Sequence, residues 1–143
     1  QISGPPDGEG QIERFLGDDY RVVKLLVRTF GFPSDELFKV VKPIVGDRGT
    51  TTFSATMADG LVEITALGVS KGASLKQVCA DLSIDPSDAA AFGDMPNDLT
   101  MLELVGYPYI VSDAHPMLRD RGFTIIGNHD ESAVGRQIRS LLG

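Results

Sequence analysis

The chain has 143 residues, 42% of them hydrophobic, with 13 Lys plus Arg against 20 Asp plus Glu and a net charge of −7. That acidic balance, with no Lys/Arg stripe, argues against a nucleic-acid partner, and no apolar run approaches the length of a membrane span. One domain, or one domain and part of another, fits the length, and a single cysteine, Cys79, rules out an internal disulfide. With no signal peptide in view, a reducing, cytoplasmic setting is expected. The first residue is Gln1 rather than Met, which leaves open where the gene starts.

Residues 1–10 are rich in Gly, Pro and acids, and 1–18 read as a linker or mobile loop, with a short helical piece at 12–15. Residues 20–29 are β-prone through Val22, Val23, Leu25, Leu26 and Val27, among the basic Arg21, Lys24 and Arg28. Ser34 is placed to cap a helix with Asp35 in its first turn and Leu37, Val40 and Val41 on its face; Pro43 should stop it. Residues 50–56 and 61–65 read as two further strands. Strand, helix, strand, strand implies an α+β piece with an antiparallel sheet over residues 19–60. Lys24 and Arg28 are read as a solvated strand face rather than as substrate contacts.

From Gly68 the pattern changes to alternating helix and strand. Leu75, Val78, Cys79 and Leu82 are spaced as one helix face, and a short strand follows at 89–92. Leu99, Leu102 and Val105 give a helix that ends at Gly106, with Pro108 blocking its continuation. A strand at 109–111, a loop through Asp113-Ala114-His115-Pro116, a short helix at 116–119 and a strand at 123–126 come next. A closing helix at 132–142 turns Val134, Ile138, Leu141 and Leu142 inward. Short strands separated by helices predict a parallel sheet with right-handed crossovers, part of a doubly wound α/β core over residues 61–143.

Chemistry concentrates in Phe92-Gly93-Asp94-Met95-Pro96-Asn97-Asp98. A buried strand, a glycine turn and a helix start leave Asp94 at the carboxyl end of the strand, where open α/β sheets bind ligands. Asp98 follows four residues later. One side chain can cap one helix, so capping accounts for one acid and leaves the second over. Two carboxylates and the Asn97 carboxamide at a helix start suit a hard cation together with a phosphate oxygen. Upstream, Gly68-Val69-Ser70-Lys71-Gly72 puts a flexible point charge at a helix entry; it lacks the order and gap of a P-loop. His115 and His129 have no partner at metal-ligand spacing, so structural or incidental roles are expected for both.

Gly93-Asp94-Met95-Pro96-Asn97-Asp98, followed by Met101-Leu102, resembles the fourth motif of the haloacid dehalogenase-like superfamily, and more narrowly that of the Cof-type sugar-phosphate phosphatases. The segment from Glu63 to Leu75 resembles their third motif, which carries a lysine, and Lys71 and Asp94 are 23 positions apart, room for one helix and a turn. The resemblance spans residues 61–142 closely and residues 19–60 loosely, the latter as the tail of a substrate-choosing cap. It implies a partial Rossmann-like core with part of an α+β cap, and a Mg²⁺-dependent phosphatase of small phosphorylated metabolites that works through a phosphoaspartate. It further implies that Asp94 binds Mg²⁺ directly and Asp98 directly or through a water. Asn97 would help place the phosphate, and Lys71 would hold the nucleophile and the phosphoryl oxygens.

Two departures stand out. Asp113-Ala114-His115-Pro116 replaces the family's commoner Gly-Asn-Ala, and Asn128-His129-Asp130-Glu131-Ser132 departs from its usual Asp-Gly-Val. No Asp-x-Asp follows an apolar strand anywhere in the 143 residues. The chain therefore reads as the carboxyl-terminal half of such an enzyme, without the nucleophile and inactive alone. An exposed sheet edge, open to self-association, is expected. The alternative is a non-enzymatic binding or assembly module that keeps the fold.

Overall fold

A computed structural model describes residues 22–143. The expected linker, the helical piece at 12–15 and the first positions of the opening strand lie outside the described residues. Two three-stranded sheets follow one another along the chain.

The first sheet is antiparallel, in the order β1-β3-β2, built from β1 (Lys24–Arg28), β2 (Thr50–Thr52) and β3 (Leu61–Thr65). Side chains alternate across a strand. Val27, Val62 and Ile64 therefore face α1 (Ser34–Val45) and pack with Leu37, Phe38, Val41 and Val45. The register Lys24↔Thr65, Leu26↔Glu63, Thr50↔Thr65 and Thr52↔Glu63 gathers the other side chains on the opposite face. That face is largely polar, apart from Leu61 and from Leu26, which is 60% exposed.

Three expectations are corrected here. Helix α1 continues past Pro43 to Val45. Only two residues follow the proline, and the packing of Val45 against the Leu37–Val41–Val62 cluster offsets the one hydrogen bond that the ring removes. The second strand is three residues long rather than seven, because Phe53 turns inward to 1% exposure between Phe38 and His115. Ser34 is the first residue of the helix rather than its cap; fully buried, its Oγ accepts the N–H groups of Met57 (3.4 Å) and Leu61 (3.2 Å).

The second sheet is parallel, β4 (Ala90–Gly93), β5 (Tyr107–Val111) and β6 (Thr124–Ile126) in that order. Connecting its strands are α3 (Leu99–Leu102) and α4 (Pro116–Arg119); α2 (Lys71–Leu82) leads in and α5 (Ala133–Leu142) closes the chain. Ala91, Leu102, Val105, Ile110, Val111, Ala114 and Leu118 form its core. This is a partial Rossmann-like α/β core beside an α+β piece. Among the described residues β4 has one strand partner, β5, and its other edge is open.

The helices depart from the sequence reading in extent. Helix α3 ends at Leu102, and the chain then turns so that the Gly106 N–H reaches the Pro86 carbonyl; Val105 is buried all the same. Strand β5 begins at Tyr107 and includes Pro108. Val78 and Leu82 stand 49% and 64% exposed, because α2 rests on α3 and the core through Gly72 and Leu75. Ile138, Leu141 and Leu142 are exposed as well. A ten-residue helix is about 15 Å long and a three-residue strand about 10 Å, so α5 outruns the β6 strand on which it packs.

Candidate functional site

Three chain segments meet at the carboxyl end of β4. After Gly93 the backbone turns through Asp94 and Met95 into a 3₁₀ turn, Pro96–Asp98, which feeds α3. Asp98 folds back over that turn and is 3% exposed. Its Oδ2 accepts the N–H groups of Asp94 and Met95, each at 3.1 Å, and its Oδ1 is ion-paired with the Lys71 ammonium. A Cβ on Gly93 would lie 2.6 Å from the Asp98 Cβ, so only glycine lets the carboxylate sit there.

Lys71 reaches Asp98 from the first turn of α2. Ser70 caps that helix, its hydroxyl accepting the Ala73 N–H at 3.1 Å. The Gly72 N–H donates to Thr100 Oγ1 at 3.1 Å, and a Cβ on Gly72 would collide with the Thr100 carbonyl. Close approach of α2 to α3 at this one glycine therefore brings Lys71 within reach of Asp98.

Asp94 differs from Asp98 in every respect. It is exposed, and the side chain its carboxylate meets is that of Asp98 itself. Partial desolvation and the neighbouring Asp98 carboxylate raise its pKa above the ordinary aspartate value, against the opposing pull of Lys71. An anion made costly by a second anion beside it fits a hard divalent cation. Asp98, with both oxygens already used, fits the task of holding the turn and the lysine. Asn97 is brought beside the cluster rather than into it: its Oδ1 is buried without a hydrogen-bond partner among the described residues.

Two clefts flank the turn. One, of about 210 Å³, is lined by Phe92, Tyr109, Val111, Ile126 and Val134, with Asp94 and His129 at its polar end. The other, of about 450 Å³, lies between the open face of the antiparallel sheet and the turn. Lys24, Thr52, Glu63 and Thr65 line it on one side, Ser70, Lys71, Asn97 and Met101 on the other. Here Lys24 pairs with Glu63 at 2.9 Å, and Ser54 donates to the same carboxylate at 3.1 Å. The expected solvated strand face is thus one wall of a cleft, with Lys24 still 42% exposed. Strand alternation carried that signal, since Lys24, Glu63 and Thr65 share a face only when the strands pair in this register.

Sequence reasoning missed the partner of His129. The imidazole Nδ1 meets Asp113 and its Nε2 meets Asp130 at 2.9 Å. Hydrogen bonding to Asp113, and its charge with that of Asp130, raise the His129 pKa above the usual value. Sixteen residues separate His129 from Asp113. Adjacent β5 and β6 bring the loops that carry them together, and no local spacing marks that.

A parallel α/β sheet with a Gly-Asp turn at its carboxyl edge, met by a lysine from the preceding helix, places the site where open α/β sheets bind ligands. The family model of haloacid dehalogenase-like hydrolases matches residues 11–138, and the chain belongs to that family. Within it the chain is of the Cof type. It is 39% identical over 96 residues to an HMP-PP phosphatase of Escherichia coli O8, a match covering 66% of this chain and 34% of that protein. A phosphoglycolate phosphatase of Methanothrix thermoacetophila is 36% identical over 58 residues, 41% of this chain and 26% of the relative. Among solved structures, SMU.1108c of Streptococcus mutans UA159 superposes with a TM-score of 0.73 at 27% identity, over 84% of this chain and 44% of the other. The subclass IIB sugar phosphatase BT4131 does so with a TM-score of 0.69 at 16% identity, over 86% and 44%, a likeness of fold. The chain spans about a third of the HMP-PP phosphatase and under half of these structures.

Proposed function

We propose that this chain supplies the metal- and phosphate-holding part of a phosphomonoester hydrolase acting on small phosphorylated metabolites such as sugar phosphates. The observation that carries the reading is the single hydrogen-bonded unit made by Lys71, Asp98 and the Asp94 turn. Asp94 would be the direct ligand of Mg²⁺, and Asp98 would fix the turn and hold the lysine. Bound Mg²⁺ would neutralise charge on phosphoryl oxygens. Lys71, half exposed at 49%, would swing a donor toward the same oxygens. Asn97, on the wall of the cleft beside Lys71, would help place the phosphate.

The leaving group would lie in the cleft beneath the antiparallel sheet, which we read as part of a cap. An ammonium beside a carboxylate, flanked by threonine hydroxyls, offers adjacent donors and acceptors and no net charge of its own. That suits a hydroxyl-bearing leaving group, and it supports the same substrate class as the relatives' printed activities. With no Asp-x-Asp in the chain, the phosphoaspartate would form on a residue that this chain does not carry, and the chain alone would not turn over. The open edge of β4 is the surface at which a further strand, or a second copy of this chain, would add.

Mg²⁺-dependent hydrolysis of an aryl phosphate by the 143-residue chain, beside Asp94→Asn, tests this. No turnover by either protein is expected. Activity that vanishes in the variant would mean that the chain carries its own nucleophile.

A further inference from the structure

Outside the Lys71–Asp98 unit, one residue uses every polar atom it has to join the two sheets' surroundings. The His115 side chain is 6% exposed. Its Nδ1 accepts the Met117 N–H at 3.2 Å, which leaves the ring proton of the neutral imidazole on Nε2. That nitrogen points at Asp35 Oδ2, 3.2 Å away in the first turn of α1. The ring meets Phe53 edge-on, centroids 5.4 Å apart. Its main-chain N–H donates to the Asp94 carbonyl at 2.8 Å. One residue thus contacts a helix and an aromatic side chain of the antiparallel unit, the N-terminus of α4, and the backbone of Asp94.

We propose that His115 is a positioning residue that ties the antiparallel unit to the Asp94 turn, so that the seating of that unit and the geometry of Asp94 are set together. The reading of Asp94 as a cation ligand underlies the second half of this statement. On the far side the tie rests on a single bond: Asp35 Oδ1 is buried with no partner among the described residues, so the contact to His115 is the hydrogen bond that the carboxylate has. When α1 moves off, that bond breaks, the Phe53 ring leaves the imidazole, and the support under the 113–116 loop loosens. The loop's other end is the His115 N–H on Asp94.

Among the described residues the hydrogen bond of Asp35 goes to His115 and none goes to the Asp94 turn, which makes Asp35 the informative position. The full chain and its Asp35→Ala and Asp35→Asn variants would be compared by amide hydrogen exchange without metal and by calorimetric titration with Mg²⁺. Asp35→Ala should speed exchange of the Asp94 and Met95 amides, and weaken Mg²⁺ binding, by about three- to tenfold each, the worth of one hydrogen bond. Asp35→Asn keeps an acceptor for Nε2–H and should restore both to within about twofold. Faster exchange confined to α1, with the Asp94 turn unchanged, would overturn the tie, since loss of a merely structural contact moves only its own helix. If the unmodified chain does not bind Mg²⁺, the assignment of Asp94 falls, and exchange at the turn alone upholds or overturns the coupling.

Discussion

At the carboxyl edge of the parallel sheet, polar groups are spent on one another: Asp98 holds two amides and Lys71 and is buried, which makes the turn rigid. Across the cleft, the open face of the antiparallel sheet carries Lys24, 42% exposed and paired with Glu63 among threonines, with Leu26 in the open. Both line one cavity, and their difference separates two tasks. A turn that must present groups to a phosphoryl oxygen benefits from fixed geometry, while Lys71, half exposed, keeps its reach. Groups that meet a variable leaving group can stay adaptable at little cost to stability. Asp94 breaks the pattern on the rigid side as the exposed carboxylate of a turn whose other acid, Asp98, is buried.

The contrast should be starkest in stability. Leu118, with no exposed surface, lies in the parallel core, and Leu118→Ala should cost about 2–5 kcal/mol in urea unfolding. Leu26→Ala on the open face should cost within about 0.5 kcal/mol. A comparable loss at both sites would mean that the open face is covered in solution. A smaller effect sharpens the role of the close helix approach. Gly72→Ala should cost about 1–3 kcal/mol, because the new methyl must push α2 off the Thr100 carbonyl. It should also weaken Mg²⁺ binding, since Lys71 and the turn move apart. Lost stability with unchanged binding would uncouple the helix contact from the site.

How much of this could be read in advance divides along the same line. The parallel core announces itself locally: Gly93, Asp94 and Asp98 sit within six residues, and each has one workable placement at a strand end. What could not be read there was the backbone path by which Asp98, not Asp94, collects the amides. The antiparallel piece was legible in its element order but not in its extents. Pro43 misleads because Val45 has a hydrophobic cluster to join, and residues 53–56 mislead because Phe53 finds partners far along the chain in Phe38 and His115. His115 and His129 were invisible as paired residues because their partners, Asp35 and Asp113, lie 80 and 16 positions away.

Asp94 as the cation ligand is the central assignment, and thermal melting of the chain and of Asp94→Asn tests it most directly. Its pKa is raised in the fold, so Asp94 contributes stability present below the unfolded aspartate value and lost as pH rises through the folded one. Without metal at neutral pH, Asp94→Asn should therefore melt higher than the wild type, and the two should converge as the pH falls below the ordinary aspartate range. Mg²⁺ should then raise the melting temperature of the wild type and leave the variant where it is. An equal rise in both, or a variant that melts lower at neutral pH without metal, would contradict the assignment.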